Sequence, residues 1–316
     1  MTTVTRRSRV LASGTDTLLR PVFEHLAPSG PGRMLLRGVV AAGSAIGGLR
    51  AAPGTRVFRD TVPGEMIVPD HARDDAAILY LHGGGYVAGS ARLERAVTSD
   101  LAAATRHRVL VPDYRRAPEH RFPAARTDAL AAYRSLIARG YPPARTALVG
   151  VSAGAHLAMS MLTTLIECDQ PLPAAAVLFS PLLDPSCTDA LRADALHRDP
   201  FLPPAFAQCC ARSYLDTHDL SSPHVNVLQA PASVLAQMPP LVSYVGSTEC
   251  FGSDSARLHQ ALLEAGATAA AITVPGQVHS FVSMCRRLPE ARAALVDAAA
   301  FLQGHLRTEI LEEEAA

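Results

Sequence analysis

The sequence lacks a net charge: its 316 residues carry 29 Lys plus Arg against 29 Asp plus Glu. No long-range field therefore recruits nucleic acid, anionic lipid or a highly charged substrate, and the expected partner is a small, fairly neutral molecule. Paired cysteines are missing as well. Cys168, Cys187, Cys209, Cys210, Cys250 and Cys285 show no CxxC and no Cys/His spacing of the kind a structural zinc requires. Reduced thiols in a cytoplasmic protein, with no metal bound, are the expectation. Nor is there a long hydrophobic run. Met34 to Leu49 is apolar and Gly-rich, but it begins over thirty residues into the chain, follows a Pro-Ser-Gly-Pro-Gly break at residues 28–32, and is interrupted by Arg37. That is too short to span a bilayer, so despite the basic start MTTVTRRSRV it reads as an amphipathic helix lying on the domain. Internal repeats are absent, and the acidic tail Glu312 to Glu314 is expected to be solvated.

What is present suits one large domain, since a chain of this length with 48% apolar residues can bury most of the surface its unfolded form exposes. From about residue 75, short apolar β-prone runs alternate with longer helical stretches. That pattern predicts an α/β fold with a mostly parallel central sheet and helices on both faces. The expected strands are Ala76 to Leu81, Arg108 to Val111, Thr146 to Val151, Ala175 to Phe179, Leu241 to Val245 and Ala270 to Val274. Helices are expected over Ala124 to Arg139, before Gly140, and over Ser253 to Ala265, before Gly266. Two segments fall outside the alternation: residues 1–50, and an insertion at about 195–222 within the main domain of residues 51–316. Together they are expected to form a helical cap. The sheet edge near the last strand offers a surface on which a second copy could pair as a homodimer.

Gly150-Val151-Ser152-Ala153-Gly154 matches GxSxG, where an apolar strand ends and the helical stretch His156 to Ile166 begins. A serine on so sharp a strand-to-helix turn takes strained backbone angles, and its flanks admit only small residues because the two elements nearly touch. His82-Gly83-Gly84-Gly85-Tyr86 follows another apolar strand. Bare glycines at Gly83, Gly84 and Gly85 let the backbone approach a substrate and leave amide hydrogens to point at an oxyanion, with the Ala153 amide as a further donor.

A serine hydroxyl needs a base, and the base needs a carboxylate to fix its tautomer. The chain order on this type of fold is Ser, acid, His. His279 follows the last expected strand and the Pro275-Gly276 turn; His156, four residues after Ser152, points along its helix away from a leaving group. Glu249 lies three residues past the strand Leu241 to Val245, with Asp254 as the competing acid. Tyr86, Phe201, Phe206 and Tyr214 are candidate pocket walls.

Taken together, these residues resemble the hormone-sensitive-lipase branch of the α/β-hydrolases, bacterial carboxylesterases marked by HGGG, DYRLAPEHPFPAA and GDSAGG. The likeness spans about Val68 to Leu302, and Asp113 to Ala125, DYRRAPEHRFPAA, follows the second mark nearly letter for letter. Asp199-Pro200-Phe201-Leu202, Ser222-Pro223, Pro239-Pro240 and Gly246-Ser247-Thr248-Glu249 also look like the family, including its variant with glutamate as triad acid. The resemblance implies an α/β-hydrolase fold with a helical cap, a Ser152–His279–Glu249 triad, oxyanion amides from Gly84, Gly85 and Ala153, and no cofactor. It further implies hydrolysis of carboxylic esters; the candidate pocket walls suggest short- to medium-chain acyl groups, and the charge balance and lack of a long apolar run suggest no nucleic-acid or membrane partner. Two positions depart from the pattern: Val151 replaces the usual aspartate before the serine, and Ala155 replaces a glycine. Val151 removes a carboxylate beside the oxyanion loop, and the alternative enzyme reading it favours is a specialised acyl hydrolase or deacetylase, or a thioesterase or cyclase of a biosynthetic pathway, acting on an amide, lactone or carrier-bound thioester. A non-catalytic relative that keeps only the binding pocket is the alternative from another class.

Overall fold

Runs of Val, Ile, Leu and Ala with little polar interruption require a sheet covered on both faces. Eight strands form that sheet: β1 (Thr55–Arg59), β2 (Gly64–Pro69), β3 (Arg73–Leu81), β4 (His107–Pro112), β5 (Thr146–Val151), β6 (Ala175–Phe179), β7 (Leu241–Gly246) and β8 (Ala269–Val274). Their spatial order is β1-β2-β4-β3-β5-β6-β7-β8, with β1–β2 and β2–β4 antiparallel and every later pair parallel. The computed structural model describes residues 4–26 and 30–306; Pro28, the first three residues of the basic start and the tail Glu312–Glu314 lie outside them.

Eleven helices are described. The N-terminal ones are α1 (Arg6–Gly14), α2 (Arg20–His25) and α3 (Gly30–Gly47), with a π-helical turn, Thr15–Leu19, joining the first two. Then come α4 (Arg95–Thr105), α5 (Ala124–Ala138), α6 (Ala153–Glu167), α7 (Thr188–Leu196), α8 (Pro204–Leu215), α9 (Ala232–Leu235), α10 (Gly252–Glu264) and α11 (Pro289–Leu306). Alternation along β3 shows how they cover the sheet. Leu79 and Leu81 enter the layer with residues of α5, α6 and α10, whereas Ile78 and Tyr80 enter the layer with residues of α4 and α11. None of the described helices is long and apolar enough to cross a membrane.

Three expectations need correction. β1 and β2 precede the alternation expected from about residue 75; β2 is apolar and buried, whereas β1 is an edge strand with its charged residues turned outward and Phe58 left 47% exposed, so it carries little apolar signal. The helix expected from Met34 starts at Gly30, inside the Pro/Gly break; a proline in the first turn costs nothing there, since those amides have no intrahelical partner. The inserted helices begin at Thr188 rather than about Ala195, where Asp189 in the first turn of α7 favours the helix dipole and pairs with Arg257 of α10 at 3.0 Å.

The N-terminal helices and the inserted pair pack on each other above the C-terminal ends of the parallel strands. Phe23 of α2 meets Phe206 of α8 at 5.1 Å and Phe201 edge-on at 5.6 Å. Arg20, only 4% exposed, reaches both carboxylate oxygens of Asp194 at 2.8 and 2.7 Å and also donates to the Asp199 carbonyl. Arg37 of α3 grips Glu119 through two bonds of 3.0 Å and the Val87 carbonyl at 2.9 Å. Replacing Arg20 leaves Asp194 without its buried counter-charge. Arg20→Ala is expected to destabilise the fold by about 3 kcal/mol, the lower end of the range for removing one member of a buried ion pair, since Asp194 keeps some contact with solvent. Urea titration followed by circular dichroism measures it; a midpoint equal to that of the unaltered protein contradicts the assignment.

Candidate active site

Ser152 sits between β5 and α6 with φ 54° and ψ −119°, a conformation that non-glycine residues rarely adopt. The turn is held by its amide, which donates to the Phe179 carbonyl at 2.9 Å, and by the close approach of its neighbours. A Cβ on Gly154 would collide with the carbonyl oxygens of Leu81 and His82, so the two elements can meet only if that position is bare. The hydroxyl is thereby presented at the floor of a cavity of about 210 Å³.

The structure brings three distant side chains into line. Ser152 Oγ lies 2.8 Å from His279 Nε2, and His279 Nδ1 lies 2.7 Å from Glu249 Oε2. A carboxylate can only accept, so Nδ1 carries the hydrogen and Nε2 is left with a lone pair facing the Ser152 hydroxyl. All three are buried, at 5%, 3% and 8% exposure for Ser152, His279 and Glu249. The second oxygen of Glu249 accepts the Gly246 amide and the Ser180 hydroxyl, the latter at 2.9 Å. Ser180 in turn accepts the Ser280 amide at 2.9 Å, so one hydroxyl links the acid's loop to the imidazole's loop. Sequence reasoning missed Ser180. Its position one residue past the end of β6, in line with Ser152 and His82 at the ends of β5 and β3, is the signal that could have found it.

The rivals are engaged elsewhere. His156 Nε2 lies 2.6 Å from the Val225 carbonyl, and burial pushes its pKa down to about 4. Asp254 accepts the amides of Leu183 and Asp184 at 2.8 and 3.0 Å, anchoring the segment after β6; burial raises its carboxyl to about 6.

Gly84 has φ +114° and Gly85 φ +60°, and a Cβ on Gly84 would strike the Ala88 carbonyl. Among the described residues no protein acceptor takes the amides of Gly84, Gly85 or Ala153, the last being the first residue of α6. Gly83 packs against the Val151 carbonyl, and its own carbonyl accepts from His82 Nδ1 at 2.7 Å. Beneath the loop His82 stacks on Tyr114 at 4.0 Å, and the Tyr114 hydroxyl bonds the His82 carbonyl at 2.7 Å. The DYRRAPEH segment therefore buttresses the glycine loop, and Arg116 adds a bond to the Gly89 carbonyl at 2.7 Å.

Phe201 and Phe206 line the cavity with Leu182, Leu202 and Val151, while Leu19, Phe23 and Val40 close it from the N-terminal side. Tyr86 and Tyr214 do not line it, contrary to expectation. Left-handed backbone at Tyr86, φ 64°, turns its ring away from the cavity to stack on Tyr214 at 4.6 Å. Tyr214 follows Phe206 and Cys210 along one face of α8, a turn beyond the cavity's end. Asp199, buried, accepts the amides of Phe201 and Leu202 at 2.8 and 3.0 Å through one oxygen and that of Cys250, next to Glu249, at 3.0 Å through the other.

A family model described as the alpha/beta hydrolase fold matches residues 78–283. An acetyl-hydrolase of Streptomyces hygroscopicus is 40% identical over 83% of this chain and 86% of its own length. An esterase of Acinetobacter venetianus is 32% identical over 71% of this chain and 73% of its own. The crystal structure of an esterase from the bacterial hormone-sensitive lipase family superimposes with a TM-score of 0.84 at 31% identity, covering 97% of this chain and all of that one. With the fold, the strand-end serine and the glycine loop already in place, these likenesses show that the chain belongs to the α/β-hydrolases, in their bacterial hormone-sensitive-lipase branch.

Proposed function

We propose that the protein is a serine carboxylesterase acting on short- to medium-chain acyl esters, with Ser152, His279 and Glu249 as its triad. The observation that carries this reading is the continuous hydrogen-bonded line from Ser152 Oγ through His279 to Glu249, at 2.8 and 2.7 Å. Ser152 Oγ attacks the ester carbonyl while His279 Nε2 takes its proton, and Glu249 steadies the imidazolium that results. Negative charge then develops on the carbonyl oxygen beside the Gly84, Gly85 and Ala153 amides, reinforced by the positive end of α6. His279 returns the proton to the departing alcohol. Water repeats the sequence against the acyl-enzyme and releases the acid and free Ser152.

The residues up to about 50, with α7 and α8, act in this proposal as a cap that excludes water from the acyl group. A cavity of about 210 Å³ lies below the roughly 300–1,000 Å³ typical of drug-sized ligands, which supports small acyl groups. So does the name acetyl-hydrolase borne by the Streptomyces hygroscopicus relative.

Ser152→Ala is expected to abolish turnover of p-nitrophenyl acetate and labelling by a fluorophosphonate while leaving the circular dichroism spectrum unchanged. Labelling that persists would remove Ser152 from the mechanism. Ser180→Ala removes one of the two donors to Glu249 Oε1 and leaves the Ser280 amide without its acceptor; losing a bond to a charged group predicts a fall in kcat of about 10- to 100-fold. An unaltered kcat would show that the triad does not depend on this bridge. Across a series of p-nitrophenyl esters, kcat/KM should be greatest from acetate to hexanoate and decline beyond; a maximum at dodecanoate would exclude the small acyl pocket.

A further inference from the structure

The triad and the glycine loop leave one buried carboxyl of the cavity unused. Glu94 ends a 3-10 turn, Ala91–Glu94, just after the glycine loop; it is 9% exposed and contributes to the cavity wall. Its Oε2 accepts the Tyr80 hydroxyl at 3.0 Å. Among the described residues no donor reaches Oε1, and Glu94 lines the cavity. Nearby cations have other partners: Arg95 binds Glu65, Arg37 binds Glu119 and Arg286 binds Asp100. Two hydroxyls share the same wall. Helix α3 packs on the Ala91–Glu94 turn and also on the 3-10 turn Phe281–Met284 that follows His279, and so brings Ser44 and Ser283 to the cavity. Neither hydroxyl bonds a protein group among the described residues.

Most of the remaining lining is apolar, including Leu36, Val39, Val40 and Met284. A carboxyl facing such walls is poorly solvated, and burial raises it to about 7, only partly offset by the bond from Tyr80. A side chain needed only to hold Tyr80 could be an amide, which accepts the same bond without the cost of desolvating a charge. The carboxyl is explained if its counter-charge arrives with the substrate.

We propose that Glu94 is a specificity-determining residue that, with Ser44 and Ser283, receives an ammonium group carried on the acyl or alcohol part of the ester. This rests on the esterase reading above and narrows its substrate class. The neutral overall charge of the protein agrees with it, because the recognition acts at contact and needs no steering field.

The test compares acetate esters of a dimethylamino-alkanol and of the alkanol with carbon in place of nitrogen, together with the mirrored pair that carries the amine on the acyl chain. Assays run at about pH 8, where the tertiary amine stays protonated. The unaltered protein should favour the ammonium member of at least one pair about tenfold or more in kcat/KM, since a site built for a polar group rejects the analogue that leaves it unpaired. Glu94→Gln keeps an oxygen for Tyr80 but loses the charge, and should bring that ratio to within about twofold of unity whatever its absolute activity. Equal turnover of both members in the unaltered protein overturns the ammonium corner and needs no variant to fold. A ratio unchanged in E94Q does the same. Failure to hydrolyse p-nitrophenyl acetate or any of the four esters would instead remove the esterase reading on which the proposal rests.

Discussion

The site depends on how closely the turn after β5 can be pressed against the end of β3. Gly154 touches the Leu81 and His82 carbonyls with no side chain to spare, and this contact places Ser152 beside the glycine loop instead of above it. Everything else is arranged around that fixed point. The loop after β3 is braced from below by Tyr114 and Arg116, the imidazole arrives from the loop after β8, and the carboxylate from the loop after β7. Parallel strands deliver all of these loops to one end of the sheet, so residues spread over more than a hundred positions converge without any one loop having to be long.

Holding Glu249 beside His279 is as much a matter of hydrogen-bond supply as of distance. A buried carboxylate needs donors for both oxygens, and here one is met by the imidazole and the other by the Gly246 amide and Ser180. Asp254 illustrates the contrast. It has donors too, but both are amides of the segment after β6, so its role is to fix backbone rather than to face the imidazole.

Much of this was legible in the sequence where local rules act alone. β5 and β6 occupy the ranges that their apolar runs indicate, and Ser152, His279 and Glu249 lie at strand ends that those runs locate. Legibility failed where the determinant is a partner distant in the chain. β1 exists because β2 offers it an edge, and nothing in Thr55–Arg59 records that. Tyr86 is a pocket wall in the sequence reading, but the sign of its φ decides which way the ring points, and that is set by the tight turn from Gly84 to Ala88. Ser180 is an ordinary serine until β6 sets it between two loops, and Glu94 is one more acidic residue on a charged stretch until α3 covers it.

Asp199 joins two things usually considered apart. Its oxygens hold the amides of Phe201 and Leu202 on the cavity wall and the amide of Cys250 adjoining Glu249, while Arg20 fastens its carbonyl from the N-terminal side. The helices over the cavity and the loop bearing Glu249 thus share a mechanical fulcrum. A shift of that wall is therefore carried through a single carboxylate to the backbone beside Glu249, so the cavity wall and the loop bearing Glu249 are not adjusted independently.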